Sequence, residues 1–205
     1  MEFDSAPLRL AELSHDTVVA RLARDPRLLV PVGGMGRERA LPLGWRSLLV
    51  NRMADDCSAA MGWLRAPTLA YGTSDGDALA RTPLSTRRRT LHRFVNDLLA
   101  NAETLGVREV LLLTARADEA QLDALATIHV RRAQLRVIDI LPPRACGTTD
   151  ADDAAALAAI VERLAQPVVS PTLPSDVPAY GVLRRRVLAA LDAHRRATDR
   201  LVRHA

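Results

Sequence analysis

Short continuous apolar runs alternate along this chain with stretches whose apolar residues recur at a period near four, and the switches mark its elements. Leu28-Leu29-Val30-Pro31-Val32 is a short apolar run ending in Gly33-Gly34, which predicts a buried strand and a turn. Upstream, Ser14 to Arg24 predicts a short helix with Ser14 or Asp16 as its cap. From Trp45 to Met61, apolar residues at Leu48, Leu49, Met53, Cys57, Ala60 and Met61 recur at helical spacing. Pro67 to Tyr71 is a candidate strand, and Gly72-Thr73-Ser74-Asp75-Gly76-Asp77 a loop of turn-forming residues. Ser85 to Leu105 predicts a long helix whose buried stripe is Leu91, Phe94, Val95, Leu98, Leu99 and Ala102, with Gly106 as its stop. Glu109 to Thr114 is an apolar strand, Asp118 to Val130 a helix, Leu135 to Ile140 a strand, and Asp150 to Leu164 an Ala-rich helix. Pro167 to Pro178 is a proline-rich connection. Val182 to Val202 is an amphipathic helix with Leu183, Val187, Leu188, Leu191, Leu201 and Val202 inward.

Strands alternating with helices imply an α/β fold, a three-layer α/β/α arrangement around a mostly parallel sheet. Ligands of such sheets bind beyond the carboxyl ends of the strands. The loops Gly33–Gly44, Gly72–Arg81 and Ala115–Glu119 are therefore the candidate pocket walls. No linker divides the 205 residues, which read as a single domain over 1–205.

Composition narrows the function classes. A hydrophobic fraction of 48% and a charged fraction of 25% fit an ordinary soluble globular protein. All 28 basic residues are Arg, as a GC-rich coding bias would produce. The runs Arg87-Arg88-Arg89 and Arg184-Arg185-Arg186 read as solvated helix faces. Aromatics make up only 3% and no reading motif accompanies the runs, which disfavours nucleic acid as a partner. Cys57 and Cys146 lie far apart and form no Cys-x-x-Cys, so a reduced, cytoplasmic chain is expected. The start Met-Glu-Phe-Asp carries no signal-peptide pattern, and no apolar stretch approaches a membrane span.

The most informative segment is Pro31-Val32-Gly33-Gly34-Met35-Gly36-Arg37-Glu38-Arg39-Ala40-Leu41-Pro42-Leu43-Gly44. With Tyr71-Gly72-Thr73-Ser74 and the strand ending Leu111-Leu112-Leu113-Thr114, it resembles the creatininase (creatinine amidohydrolase) family over roughly residues 28 to 140. In that family Pro-Val-Gly leads into Ser-Thr-Glu-Gln-His-Gly-Pro-His and then Leu-Pro-Leu-Gly-Thr-Asp. Tyr-Gly-x-Ser precedes a Glu-His, and the later strand leads into Asn-Gly-His-Gly-Gly-Asn. The resemblance implies a creatininase-like fold, assembly through helices into oligomers, and a site for two metal ions built from Glu, His and Asp. The frame is kept here, and the ligands are not. The first signature is one residue shorter, its Glu-Gln-His falling on Met35-Gly36-Arg37 and its second His on Ala40. The Asp after Leu-Pro-Leu-Gly falls on Arg46, the His of Glu-His on Asp77 after Gly76, and the His of Asn-Gly-His on Arg116. The family's His-Ala-Gly…Glu-Thr-Ser segment has no counterpart after Ile140. A guanidinium has only donors and stays protonated, so it cannot ligate a metal. No metal or other cofactor is therefore expected.

What fills the space has two readings. In one, Arg37, Arg46 and Arg116 occupy the former cation seats and pair with Asp75, Asp77, Asp118 and Glu119, or leave a positive pocket for a carboxylate or phosphate, while Glu38 or Asp75 is a candidate acid–base partner of Asp77. In the other, these loops are exposed and solvated. Ser74 has no partnered His to make it a nucleophile and reads as a loop hydroxyl. Cys57 lies on an apolar helix stripe and reads as a buried thiol. None of His15, His92, His129, His194 and His204 pairs at ligand spacing, and a rebuilt metal site from His129, Asp77 and Asp118 is disfavoured. The glycines around Gly33 lack the order of a phosphate loop. The expectation is a pseudoenzyme serving as a binding or scaffold subunit for an active partner or a small anionic metabolite. It would form a homo-oligomer, or a hetero-oligomer with a related subunit. The alternative is a metal-independent enzyme, an amide or C–N hydrolase or lyase working through Asp/Glu and Arg.

Overall fold

The structure is a computed structural model that describes residues 6–35, 41–73, 84–115, 119–141 and 178–203. In chain order its elements are β1 (Leu8–Arg9), α1 (His15–Arg24), β2 (Arg27–Pro31), α2 (Trp45–Met61), β3 (Leu64–Arg65), α3 (Arg88–Thr104), β4 (Glu109–Thr114), α4 (Glu119–Ala126), β5 (Gln134–Asp139) and α5 (Pro178–Arg203). The strands pair in the order β1-β3-β2-β4-β5, and every pair is parallel. β2 and β4 run side by side in the middle, with Arg27 opposite Glu109 and Pro31 opposite Leu113.

Side chains alternate across a strand, so each central strand feeds two cores. Leu29, Leu111 and Leu113 point to one face and pack with Trp45, Leu49, Met53 and Cys57 of α2 and Leu183, Val187 and Leu191 of α5. Leu28, Val30, Val110 and Leu112 point to the other and pack with Val18 and Leu22 of α1, Leu91, Val95 and Leu99 of α3, and Ala124 and Leu125 of α4. The result is the expected three-layer α/β/α fold. No described helix is long and apolar enough to cross a membrane.

Several helix ends follow from local chemistry. Ser14 caps α1 by accepting from the Thr17 amide. α2 ends on Gly62 at φ 71°, a left-handed conformation that glycine enters without a Cβ penalty. α5 begins at Pro178, earlier than the apolar stripe from Val182 implies, because proline fits the first helical position. The side chains of Leu201 and Val202, expected to point inward, lie outside the described set. So do the expected helix Asp150–Leu164 and nearly all of the proline-rich connection.

Three sequence expectations are corrected. The strand expected over Pro67–Tyr71 begins earlier, at Leu64–Arg65, where Leu64 pairs with both Leu8 and Leu28. Pro67 has no N–H to continue the ladder, and beyond it only Leu69 bridges back, to Val32. The helix expected from Asp118 to Val130 stops at Ala126, where Thr127 Oγ1 donates to the Asp123 carbonyl and the chain then extends toward β5. The stripe expected to be buried on α3 is only partly covered. Leu91, Val95 and Leu99 are buried, whereas Phe94 and Leu98 are exposed.

Polar contacts fasten the edges. Asp55 of α2 accepts from Arg9 of β1 at 2.9 and 3.0 Å and from Arg65 of β3 at 2.8 Å. Burial alone would raise the pKa of Asp55, but the hydrogen bonds from Arg9 and Arg65 outweigh it and hold the carboxyl below its usual range. At the foot of the sheet Arg27 donates to Glu109 at 3.0 Å, pairs with Asp199 of α5 and lies 5.4 Å from the Trp63 ring centre. His194 of α5 contacts the same Glu109. On the first face, the buried Tyr180 hydroxyl donates to Asp56 at 2.8 Å, joining α5 to α2.

Glu103, near the end of α3, accepts from the backbone amides of Arg131, Arg132 and Ala133 at 3.3, 2.6 and 2.7 Å. These contacts favour the carboxylate and lower its pKa. A carboxyl whose folded-state pKa is depressed adds stability above its unfolded value, near 4.3, and loses it as pH falls through the folded value. Glu103→Gln should therefore lower Tm at neutral pH, with the gap to wild type closing as the pH is taken below about 4. A gap that stays constant over that range in a thermal-melt series would contradict this role for the charge.

Candidate functional site

β2 is followed by α2 on one face, and β4 by α4 on the other. The chain thus departs in opposite directions from the carboxyl ends of two neighbouring strands, the kind of switch point beyond which ligands of such sheets bind. The described residues at this point are Gly33, Gly34, Ser47, Gly72, Thr73, Thr114 and Gln121, and two side chains organise them.

Gln121, on α4 and fully buried, is the first. Its Nε2 donates to the Gly33 carbonyl at 3.1 Å and to Thr114 Oγ1 at 2.9 Å, and its Oε1 accepts from the Thr73 amide at 3.2 Å. One amide thus joins the segments after β2, β3 and β4. The second is Ser47, in the first turn of α2. Its Oγ accepts from the Gly34 amide at 3.1 Å and donates to the Ala70 carbonyl at 3.0 Å. The backbones approach so closely that a Cβ on Gly33 would lie 2.6 Å from Ser47 Cα, and one on Gly72 would lie 2.7 Å from the Gly33 carbonyl oxygen. Glycine here serves close approach of backbone.

Of the nine candidate residues, two are described. Arg46 sits in the first turn of α2, half-buried, with its guanidinium 5.6 Å from the ring centre of the buried Trp45. Glu119 is the exposed first residue of α4, where a carboxylate suits the positive end of the helix. Arg37, Glu38, Ser74, Asp75, Asp77, Arg116 and Asp118 lie outside the described residues. The residues from which their loops depart do converge: Gly34 lies near Gly72, and Gln121 ties Gly33 to Thr73 and Thr114. His129 is not near them. It follows α4 on the way to the start of β5, exposed, with its amide donating to Asn96 Oδ1.

A family model described as creatininase, creatinine amidohydrolase, matches residues 11–139. The chain belongs to the creatininase family. Among solved structures, a crystal structure of creatinine amidohydrolase aligns with a TM-score of 0.64 at 16% identity, over 93% of this chain and 98% of that one. A manganese creatininase aligns at TM-score 0.54 and 20% identity, and a mutant creatininase complexed with creatine at TM-score 0.55 and 20% identity. Both alignments cover 65% of this chain, which spans 58% of their length. At these identities the likeness is one of fold. Comparison with curated proteins finds no match.

Metal ions of the zinc and manganese kind are held by imidazole, thiolate and carboxylate groups. Among the described residues no group of three or more His, Cys, Asp or Glu could hold an ion. Among the described residues, the groups at the strand ends are one carboxamide, two hydroxyls and several peptide groups, none of them a usual zinc or manganese ligand, with Arg46 at the start of α2.

Sequence reasoning missed Gln121 and Ser47. The signal for Gln121 was present: Gln121, Ala124 and Leu125 fall on one buried helical stripe, and a polar side chain on such a stripe must find partners. Replacing it with Leu keeps the volume but leaves the Thr73 amide and the Gly33 carbonyl unsatisfied. Gln121→Leu should cost about 2–4 kcal/mol of stability by urea denaturation.

Cys57 is buried in the α2 core, and burial, with the Asp56 carboxylate nearby, pushes its thiol up to about 12. It should stay unmodified by iodoacetamide in the native protein at pH 8 and react once the chain is unfolded. Peptide mapping that finds it alkylated in the native state would show an open thiol.

Proposed function

We propose that this creatininase-family protein has given up the dinuclear metal centre and works as a binding or scaffold subunit. Its client is either an active partner or a small anionic metabolite. The observation that carries the reading is the pair formed by Gln121 and Arg46. Neutral hydrogen bonds of Gln121 tie together the strand ends beyond which ligands of such sheets bind, and a guanidinium occupies the frame position at which the family places an Asp. A dinuclear centre needs anionic or imidazole donors at that place, and a fixed cation beside it would raise the cost of binding another.

In this reading Arg46 acts with Arg37 and Arg116. The three supply permanent positive charge where the family carries divalent ions, and Glu38, Asp75, Asp77, Asp118 and Glu119 balance it in part. The cationic remainder suits a carboxylate or phosphate, because a guanidinium offers paired donors to such groups. Trp45 beneath Arg46 holds the guanidinium by its ring face and restricts where it can reach. Gln121 and Ser47 act as positioning residues, since they fix the segments from which all three loops leave. The subunit acts within a homo-oligomer or beside a related chain, inside the cytoplasm.

Elemental analysis of protein purified without chelator decides the metal question. Zinc, manganese and iron are expected well below one per chain, with no creatinine hydrolysis after zinc or manganese is added back. One or two tightly held transition-metal ions per chain, or hydrolysis restored by metal, would overturn the reading.

A further inference from the structure

A groove of about 420 Å³, within the range that holds small molecules, opens beside α3. One wall is the chain after β3, from Thr68 to Tyr71. The other is Thr86 and the first turns of α3, with Thr90, Leu91 and Phe94. None of Arg46, Ser47 and Gln121 lines it. Both walls are held in place. Leu69 bridges to Val32, its amide donating to the Pro31 carbonyl at 2.9 Å and its carbonyl accepting from the Gly33 amide at 2.8 Å. Thr86 donates to the Gly72 carbonyl through its amide at 2.8 Å and its hydroxyl at 3.2 Å, which ties the two walls together at one end. The groove is therefore formed before any ligand arrives.

The lining says which molecule fits. Leu91 is buried beneath the groove, and one aromatic ring stands on each wall, Tyr71 at 53% exposure and Phe94 at 51%. Rings that their own chain leaves half in water gain from a flat apolar partner, and two of them on separate walls suit a third ring between them. Charge enters at one end. Helical geometry places residue 87 two turns before Phe94 on the same side of α3. Arg87 is exposed and in no ion pair among the described residues, whereas Arg88 is committed to Asp123 of α4. No described carboxylate lines the groove, and the next acid along α3, Asp97, lies about one turn beyond Phe94, away from Arg87. The site is thus basic at one end and apolar in the middle. A guanidinium offers paired donors to a carboxylate, so the complementary molecule carries a carboxylate at one end of an aromatic body.

We propose that this groove binds a small aromatic carboxylate, with its ring between Tyr71 and Phe94 and its carboxylate on Arg87. The site uses neither Arg46 nor Gln121, so it and the subunit reading above can fail separately.

Titration of the full chain with 3-phenylpropionate, followed by saturation-transfer difference NMR, tests it. Saturable binding at one site is expected. The uncharged 3-phenylpropionamide should bind about fivefold more weakly, the scale of an exposed ion pair, and propionate, which lacks the ring, should not saturate over the same range. Arg87→Gln should weaken the acid by a similar factor and leave the amide unchanged. Phe94→Ala should weaken acid and amide alike without lowering Tm, because the side chain is half in water. Arg46→Gln, at the strand ends, should change neither. If Phe94→Ala does lower Tm, the comparison of acid with amide on Arg87→Gln decides alone. No saturable binding of 3-phenylpropionate, equal affinity for acid and amide, binding that survives both groove variants, or binding lost in Arg46→Gln would overturn the proposal.

Discussion

Three stretches of backbone pass within contact distance at Gly33–Gly34, Ser47 and Gly72, and the fold above the sheet is built on that closeness. At Gly33 and Gly72 there is no room for a Cβ, and the peptide groups are satisfied by neighbours that reach in from helices. Gln121 does so from α4 and Ser47 from α2, one from each face of the sheet. The carboxyl ends of β2 and β4 are thereby fixed relative to both helical layers. The candidate loops leave from segments held by side-chain hydrogen bonds and close backbone approach, which favours a positioned loop-borne site.

The opposite end of the sheet is held by charge in place of close approach. Arg27 and Glu109 sit opposite each other in the β2–β4 register, and α5 brings Asp199 and His194 to them. A buried pair of this sort adds little net stability over an apolar substitute, but removing one member leaves a charge stranded. Its effect is to specify where α5 lies. Asp56 does the same farther along, accepting from Tyr180 of α5 and pairing with Arg52.

Much of this fold was legible in the sequence, and the exceptions have causes. β2 and β4 are apolar on both faces and announce themselves, as do α2 and the core of α5. β1 and β3 are two residues long, too short for any periodicity, and β3 contains an Arg that is 5% exposed only because Asp55 and Asn51 receive it. The run after Pro67 looked like the strand because it is apolar, yet the proline had already broken the ladder. Phe94 and Leu98 looked like core because apolar residues at helical spacing usually are. Their pattern gives the width of the stripe, not how much of it the same chain covers. At the strand ends, the frame residues were legible through the resemblance, whereas Gln121, which nothing in the family frame names, could be found only as a polar side chain on a buried helical stripe.

The docking of α5 carries a consequence for biosynthesis. Leu29, Leu111 and Leu113 line a sheet face that α2 covers only in part, and Leu183, Val187 and Leu191 complete the cover from a segment made long after the strands. A nascent chain that has emerged through β5 can pair all five strands and still show a greasy, half-roofed flank to the cell. Ribosome-associated chaperones bind surfaces of that kind, and this protein should depend on them until translation reaches the last helix.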